Sequence, residues 1–140
     1  MELRALLTNE SSSCMEVLMG ESVLVVGAGV IGSRVAGMLA ERGDRVRVVS
    51  RHGSGPAEPG AVTRVAADAA DAEAMARLAD GVSVIYNCVN PPYHRWTADW
   101  PPIAASVLGA AERSGAVLVT LSNLYGYVPM SPAATTRRTR

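Results

Sequence analysis

Lysine and phenylalanine are absent from the 140 residues, and cysteine, histidine and tryptophan occur only twice each. All thirteen basic residues are therefore arginines, and thirteen acidic residues cancel them. With no net field, the composition offers nothing to attract nucleic acid or an anionic membrane. The arginine-only usage, beside abundant Ala, Gly, Val and Pro, points to GC-rich coding, which concerns the genome and not the function. Cys14 and Cys88 stand far apart in unlike contexts, so neither a disulfide framework nor a thiolate metal site is indicated, and a reducing cytoplasm is the expected compartment. His52 and His94 have no partners at metal-ligand spacing, and no Gly-x-Ser-x-Gly elbow is present for hydrolase chemistry. The apolar runs are too short to cross a bilayer. Glu2, Arg4, Glu10 and Glu16 interrupt the stretch in which a signal peptide would need an unbroken apolar core.

What remains is a chain whose residues are 49% hydrophobic, enough for one core and one domain. Residues 1–21 read as a weakly structured leader broken by Ser11, Ser12 and Ser13, within which Met15 or Met19 could equally be the start. Residues 22–126 carry the regular pattern, and 127–140 form a polar, arginine-rich tail with nothing to bury.

Within that middle stretch, strand and helix patterns alternate. Ser22–Gly27 is a continuous apolar run, as in a parallel strand covered on both faces. Ile31, Val35, Met38 and Leu39 follow at helical spacing, with Gly43 as the stop. Arg45–Ser50 and Ala61–Ala66 read as strands separated by a Gly- and Pro-rich loop, His52–Gly60. Asp71 can cap a short helix through Ala79, with Met75 and Leu78 facing inward and Gly81 ending it. Val82–Val89 is a fourth strand, and Asn90–Pro102 an ordered loop. Pro101 and Pro102 suit the first turn of a helix whose buried face is Ile103, Val107, Ala110 and Ala111. Gly115 closes that helix, and Ala116–Leu121 is the fifth strand. The alternation predicts an α/β fold, a doubly wound parallel sheet of about five strands in the order 3-2-1-4-5, most but not all of a six-stranded dinucleotide fold.

The first strand runs into Gly27-Ala28-Gly29-Val30-Ile31-Gly32, a Gly-x-Gly-x-x-Gly turn opening a helix. Gly27 permits the tight exit from the strand, Gly29 leaves no Cβ between backbone and a pyrophosphate, and Gly32 lets the helix pack closely on the sheet. Amides near Val30 and Ile31 would face the phosphates from the positive end of the helix dipole. A bare glycine turn in a Gly- and Ala-rich chain means little. The strand before it and the helix and second strand after it give it weight.

Which dinucleotide is favoured depends on the end of the second strand. A carboxylate there would hold the ribose hydroxyls of NAD. This chain has Ser50, Arg51 and His52 instead, with Arg51 placed 24 residues after Gly27. A guanidinium can pair with a 2′-phosphate through two hydrogen bonds, so NADP is expected over NAD, with NAD still admissible. The competing reading of Arg51 is a solvated surface residue. Asp68 could accept a hydrogen bond from the adenine amino group or simply cap a turn. The backbone from Asn87 through Val89 to Asn90 should line the crevice at the strand ends. Tyr93, His94, Arg95, Trp96 and Trp100 form an aromatic and basic patch that either packs as a loop or walls the ligand pocket.

Taken together, the Gly27–Gly32 turn, Asp68, the fourth strand ending Tyr-Asn-Cys-Val-Asn and the fifth running into Ser-Asn-Leu-Tyr-Gly resemble the N-terminal Rossmann portion of short-chain dehydrogenases of the extended or atypical kind. The likeness is greatest to the NAD-dependent epimerase/dehydratase family. It covers about Ser22 to Gly126 and implies hydride transfer at a carbon bearing oxygen. It also implies a Ser or Thr near the end of the fifth strand that positions the substrate oxygen, for which Thr120 and Ser122 are available. The family's usual place for that hydroxyl, four residues before Tyr125, holds Leu121. The resemblance further implies a Tyr-x-x-x-Lys pair, in which a cation makes a phenol of ordinary pKa near ~10 useful at neutral pH. With no lysine, the 140 residues contain no such pair. They also contain no sixth strand and no substrate lobe.

The expectation is therefore a truncated or frame-disrupted member, or half of a site that a partner chain completes. Alternatives from other classes are a module that reads dinucleotide levels without turnover and a gene product that folds poorly.

Overall fold

The computed structural model describes residues 20–55 and 62–122. Most of the expected leader, Tyr125 and Gly126, and the arginine-rich tail lie outside these described residues. Strand β1 (Ser22–Val26) leads through the glycine turn into helix α1 (Val30–Glu41), followed by β2 (Arg45–Ser50) and β3 (Val62–Ala66). Helix α2 (Ala72–Leu78), β4 (Val84–Asn87), a single 3-10 turn (Tyr93–Arg95), helix α3 (Trp96–Ser114) and β5 (Val117–Thr120) complete the order. The strands form one sheet in the order β3-β2-β1-β4-β5, and every pairing is parallel. This is the expected doubly wound arrangement, with the strand order reversing between β1 and β4.

The sequence of β1 explains its central place. Val23, Leu24, Val25 and Val26 are all buried, because successive side chains point to opposite faces and both faces are covered. Val23 and Val25 pack with Val46 and Val48 of β2 against Ala36, Leu39 and Ala40 of α1. Leu24 and Val26 pack on the other face with Met75 of α2 and Val107, Ala110 and Ala111 of α3. On the α1 side the sheet is less covered toward β5, where Val117 and Val119 stay exposed.

Two of the expected faces differ in detail. Ile31 and Met38, assigned from spacing to the buried stripe of α1, are half exposed or more, and the small residues Gly32 and Ala36 take the contact with the sheet. Helix α3 starts at Trp96, inside the stretch expected as a loop, so Pro101 and Pro102 lie within the helix and not in its first turn. The early start has visible causes. Trp96 donates its indole N–H to the carbonyl of Pro91 at 2.8 Å, its ring stacks on Tyr93 with centroids 4.5 Å apart, and Arg95 forks onto Asp99 one turn on. The prolines take helical donors from the carbonyls of Thr97 and Ala98, two exposed residues that water can serve.

Backbone bonds carry the ladder past the strand ends and so assemble the site. Gly27 donates to the Val49 carbonyl at 2.8 Å, Cys88 to Val26 at 2.8 Å and Leu121 to Asn87 at 2.9 Å. The residues leaving β1, β2, β4 and β5 are thereby drawn to one edge of the sheet.

Candidate functional site

At that edge lies a cavity of about 770 Å³, within the ~300–1,000 Å³ range of small-ligand sites. Its floor is the glycine turn. Gly27 has φ +105°, which L side chains rarely adopt, and a Cβ there would sit 3.0 Å from the Cys88 carbonyl carbon. A Cβ on Gly32 would lie 1.9 Å from the Gly27 carbonyl oxygen, so the helix rests directly on the strand exit. Gly29 differs: a Cβ on it would meet nothing within 4 Å. Fold packing therefore explains Gly27 and Gly32, whereas at Gly29 the protein keeps the space beside the backbone open.

Helix α1 begins at this open space without a side-chain cap and with no acidic residue in its first turn. Helix α2 shows the contrast, since Asp71 accepts from the amides of Glu73 and Ala74 at 3.0 Å each. The first amides of a helix lack partners within the helix, and at α1 no side chain caps them, with the positive end of the dipole behind them. Inside the turn, Ser33 is buried and donates its hydroxyl to the Ala28 carbonyl at 3.2 Å, bracing the loop from below.

Most of the residues singled out in the sequence meet here. Gly27, Ala28, Gly29, Val30 and Ile31 line the cavity, as do Ser50, Arg51, Asp68 and Val89. The Ser50 hydroxyl donates to the Ser54 carbonyl at 3.1 Å, folding the start of the following loop over the end of β2. Asp68 has both of the roles weighed for it available: it lines the cavity, and its carboxylate accepts from the Ala70 amide at 2.9 Å. Gly32 and Asn87 act from beneath. Asn87 is buried, and its side-chain oxygen accepts from the Val89 amide at 3.3 Å, holding the chain that lines the crevice. Thr120 and Ser122 are exposed and do not line the cavity, whereas Leu121 between them does.

The aromatic and basic patch divides. Arg95 lines the cavity, while Tyr93, Trp96 and Trp100 pack on one another beside it. Pro91, Pro92, Asp99, Pro102 and Ile103 also line the cavity, residues for which the sequence suggested no place in the cleft. Arg95 donates to Asp99 through Nε at 2.8 Å and Nη2 at 2.9 Å. This fork holds the Asp99 carboxyl below its ordinary range, with smaller contributions from Arg51 and His94. The i,i+4 spacing of Arg95 and Asp99 was the available signal for the pair, although spacing alone does not say that it faces a cleft. Cys88 also lines the cavity, and burial raises its thiol pKa. Among the described residues, no group of three or more His, Cys, Asp or Glu side chains is placed to hold a metal ion, and no helix is long and apolar enough to cross a membrane.

A parallel sheet in the order 3-2-1-4-5, with a glycine turn at the switch point and a cavity above it, defines a Rossmann-type nucleotide fold. The model of the NAD dependent epimerase/dehydratase family matches residues 23–122, and the chain belongs to that family. No curated protein matches it in sequence.

Among solved structures, the chain is similar to a uronate dehydrogenase variant from Agrobacterium tumefaciens complexed with NAD, with TM-score 0.62 and 24% identity over 74% of this chain and 41% of that one. It is also similar to the enzyme WbmH from Bordetella bronchiseptica in complex with NAD+, with TM-score 0.63 and 22% identity over 79% of this chain and 43% of the other. A Rossmann-fold NAD(P)-binding family protein from Shigella flexneri gives TM-score 0.62 and 22% identity over 85% and 58%. What the three share with this chain is the fold. The chain spans 41%, 43% and 58% of their respective lengths.

Proposed function

We propose that this chain is the cofactor-binding portion of an oxidoreductase or epimerase of its family and that its cleft takes NADP in preference to NAD. The observation that carries the reading is the open space beside Gly29, where an uncapped helix start meets the cavity. A pyrophosphate there would accept from the first amides of α1, the interaction that makes helix starts general anion sites. The NAD complexes among its structural neighbours support a nicotinamide dinucleotide as the ligand class.

Each remaining residue has a task in this reading. Arg51 at the end of β2 pairs with the 2′-phosphate, in a position where a carboxylate would repel it. Asp68 accepts from the adenine amino group, and Val89, held by Asn87, borders the nicotinamide half. Thr120 and Ser122 are the hydroxyls nearest the end of β5, with substrate-oxygen positioning as their task. The bound dinucleotide supplies the hydride chemistry, and the protein supplies binding and orientation.

The 140 residues contain no lysine, and this favours a second reading of the same site. Without a Tyr-x-x-x-Lys pair, the chain alone binds the dinucleotide and does not turn it over. In that reading these residues serve as a non-catalytic module that binds or senses the dinucleotide. The experiment that tests the preferred cofactor compares NADP and NAD affinities in the natural chain and in Arg51→Glu. A preference for NADP that collapses or inverts in the variant supports Arg51, and an unchanged ratio removes it from the site. Reductase and epimerase assays on the isolated chain are expected to show binding without turnover, and measurable turnover would overturn the non-catalytic reading.

A further inference from the structure

The cavity carries charge on two walls that come from distant parts of the chain. Arg51 leaves the end of β2, and Arg95 and Asp99 belong to the 3-10 turn and first turns of α3. Arg95 is bound bidentately by Asp99, whose side chain retains 26% of its exposure while that of Arg95 retains 60%. The carboxylate is thus the more enclosed partner, and it also feels Arg51 and His94. Asp99 is thus paired with one cavity-lining arginine and within electrostatic reach of a second.

We infer that Asp99 is a built-in competitor for the phosphoryl groups of the dinucleotide. In the ligand-free chain its carboxylate holds Arg95, and on binding Arg95 exchanges that carboxylate for a phosphoryl oxygen while Arg51 receives the ligand from the opposite wall. This rests on the dinucleotide reading above. The exchange is chemically even, because a guanidinium fork fits carboxylate and phosphate alike. Asp99 remains as a fixed negative charge near the bound phosphate and weakens it, so the cleft is set below the affinity its arginines could give.

The two halves of the pair consequently have opposite effects, which a merely structural ion pair would not show. Trp96 and Trp100, the only tryptophans of the chain, flank Asp99 on α3, so their fluorescence reports binding within the same helical turns. The test measures dissociation constants of NADP and NAD by this signal in the natural chain, Asp99→Asn, Arg95→Gln and the double variant, with thermal midpoints as a folding control. Asp99→Asn is expected to tighten binding roughly two- to fivefold, as for loss of one partly solvated repulsion, and Arg95→Gln to weaken it by a similar factor. In the double variant the gain from Asp99→Asn shrinks.

A response confined to NADP places the exchange at the 2′-phosphate, and an equal response with NAD places it at the pyrophosphate. Either supports the exchange. If the natural chain binds but Asp99→Asn binds equally or more weakly, the competitor role is overturned and the dinucleotide reading stands. If the folded natural chain and its variants bind neither dinucleotide, both fall.

Discussion

The carbonyl oxygen of Gly27 lies 1.9 Å from where a Cβ of Gly32 would be, so the two glycines at the ends of the turn close on each other with no room for a methyl group. Gly32 is buried inside α1, where alanine would ordinarily help the helix by up to ~1 kcal/mol. Here Gly32→Ala is expected to lose about 1–2 kcal/mol net, because overpacking against backbone outweighs helix propensity. Chemical denaturation checks this. A neutral or stabilising result would mean that the helix does not rest on the strand exit.

Gly29→Ala should behave in the opposite way. Gly29 has φ −73°, which alanine adopts freely, and its Cβ would meet nothing within 4 Å. Stability is expected to stay within about 0.5 kcal/mol of the natural chain. Dinucleotide affinity should fall on the order of tenfold or more, about 1.4 kcal/mol, since the methyl group fills the approach to the backbone. Calorimetric titration of both proteins decides it, and equal affinities would place the pyrophosphate elsewhere.

Two aspartates three residues apart should separate stability from binding. Asp71 caps α2, and Asp71→Ala is expected to cost about 1 kcal/mol with cofactor affinity unchanged. Asp68 lines the cavity and bonds one exposed turn amide, so Asp68→Ala should weaken binding with a smaller loss of stability. The same effect on binding from both changes would remove Asp68 from the adenine role.

The architecture was legible in the sequence because its signals are local and mutually consistent. The all-buried run of β1, the alternation of strands with helices and the three glycines have no other common explanation. The far wall of the cleft was hidden for a physical reason. Pro91, Asp99 and Pro102 reach it through a loop and helix start set by an indole hydrogen bond and a ring stack, neither of which leaves a periodic pattern, whereas Arg95 already stood in the aromatic and basic patch weighed as a pocket wall. The prolines misled in particular. Pro is at home in a first turn, and that preference placed the start of α3 five residues late, at Pro101 instead of Trp96. Ile31 and Met38 show the reverse error, in which apolar spacing was read as burial although Gly32 and Ala36 make the actual contact.

Cys88 provides a chemical probe of the floor of the cleft. Burial raises its thiol pKa, and the thiolate is the form that reacts, so alkylation should be slow at neutral pH. Raising the pH through and beyond the ordinary thiol range near ~8.5 should accelerate it, later than for an exposed thiol. In a Cys14→Ser background, which leaves Cys88 as the single thiol, saturating NADP should slow the reaction further. Mass spectrometry of the modified chain follows both effects. Fast labelling at neutral pH that ignores the dinucleotide would show that Cys88 is not beneath the ligand.

The most direct measurement is the thermal midpoint of the folded chain with and without each dinucleotide. A ligand that binds only the native state at one hundred times its dissociation constant adds about 2.7 kcal/mol of stability. The midpoint should rise by several degrees with NADP and by less with NAD at equal concentration. A cooperative unfolding transition that neither cofactor moves, even at millimolar concentration, would contradict the assignment of the Gly27–Gly32 turn as a dinucleotide site.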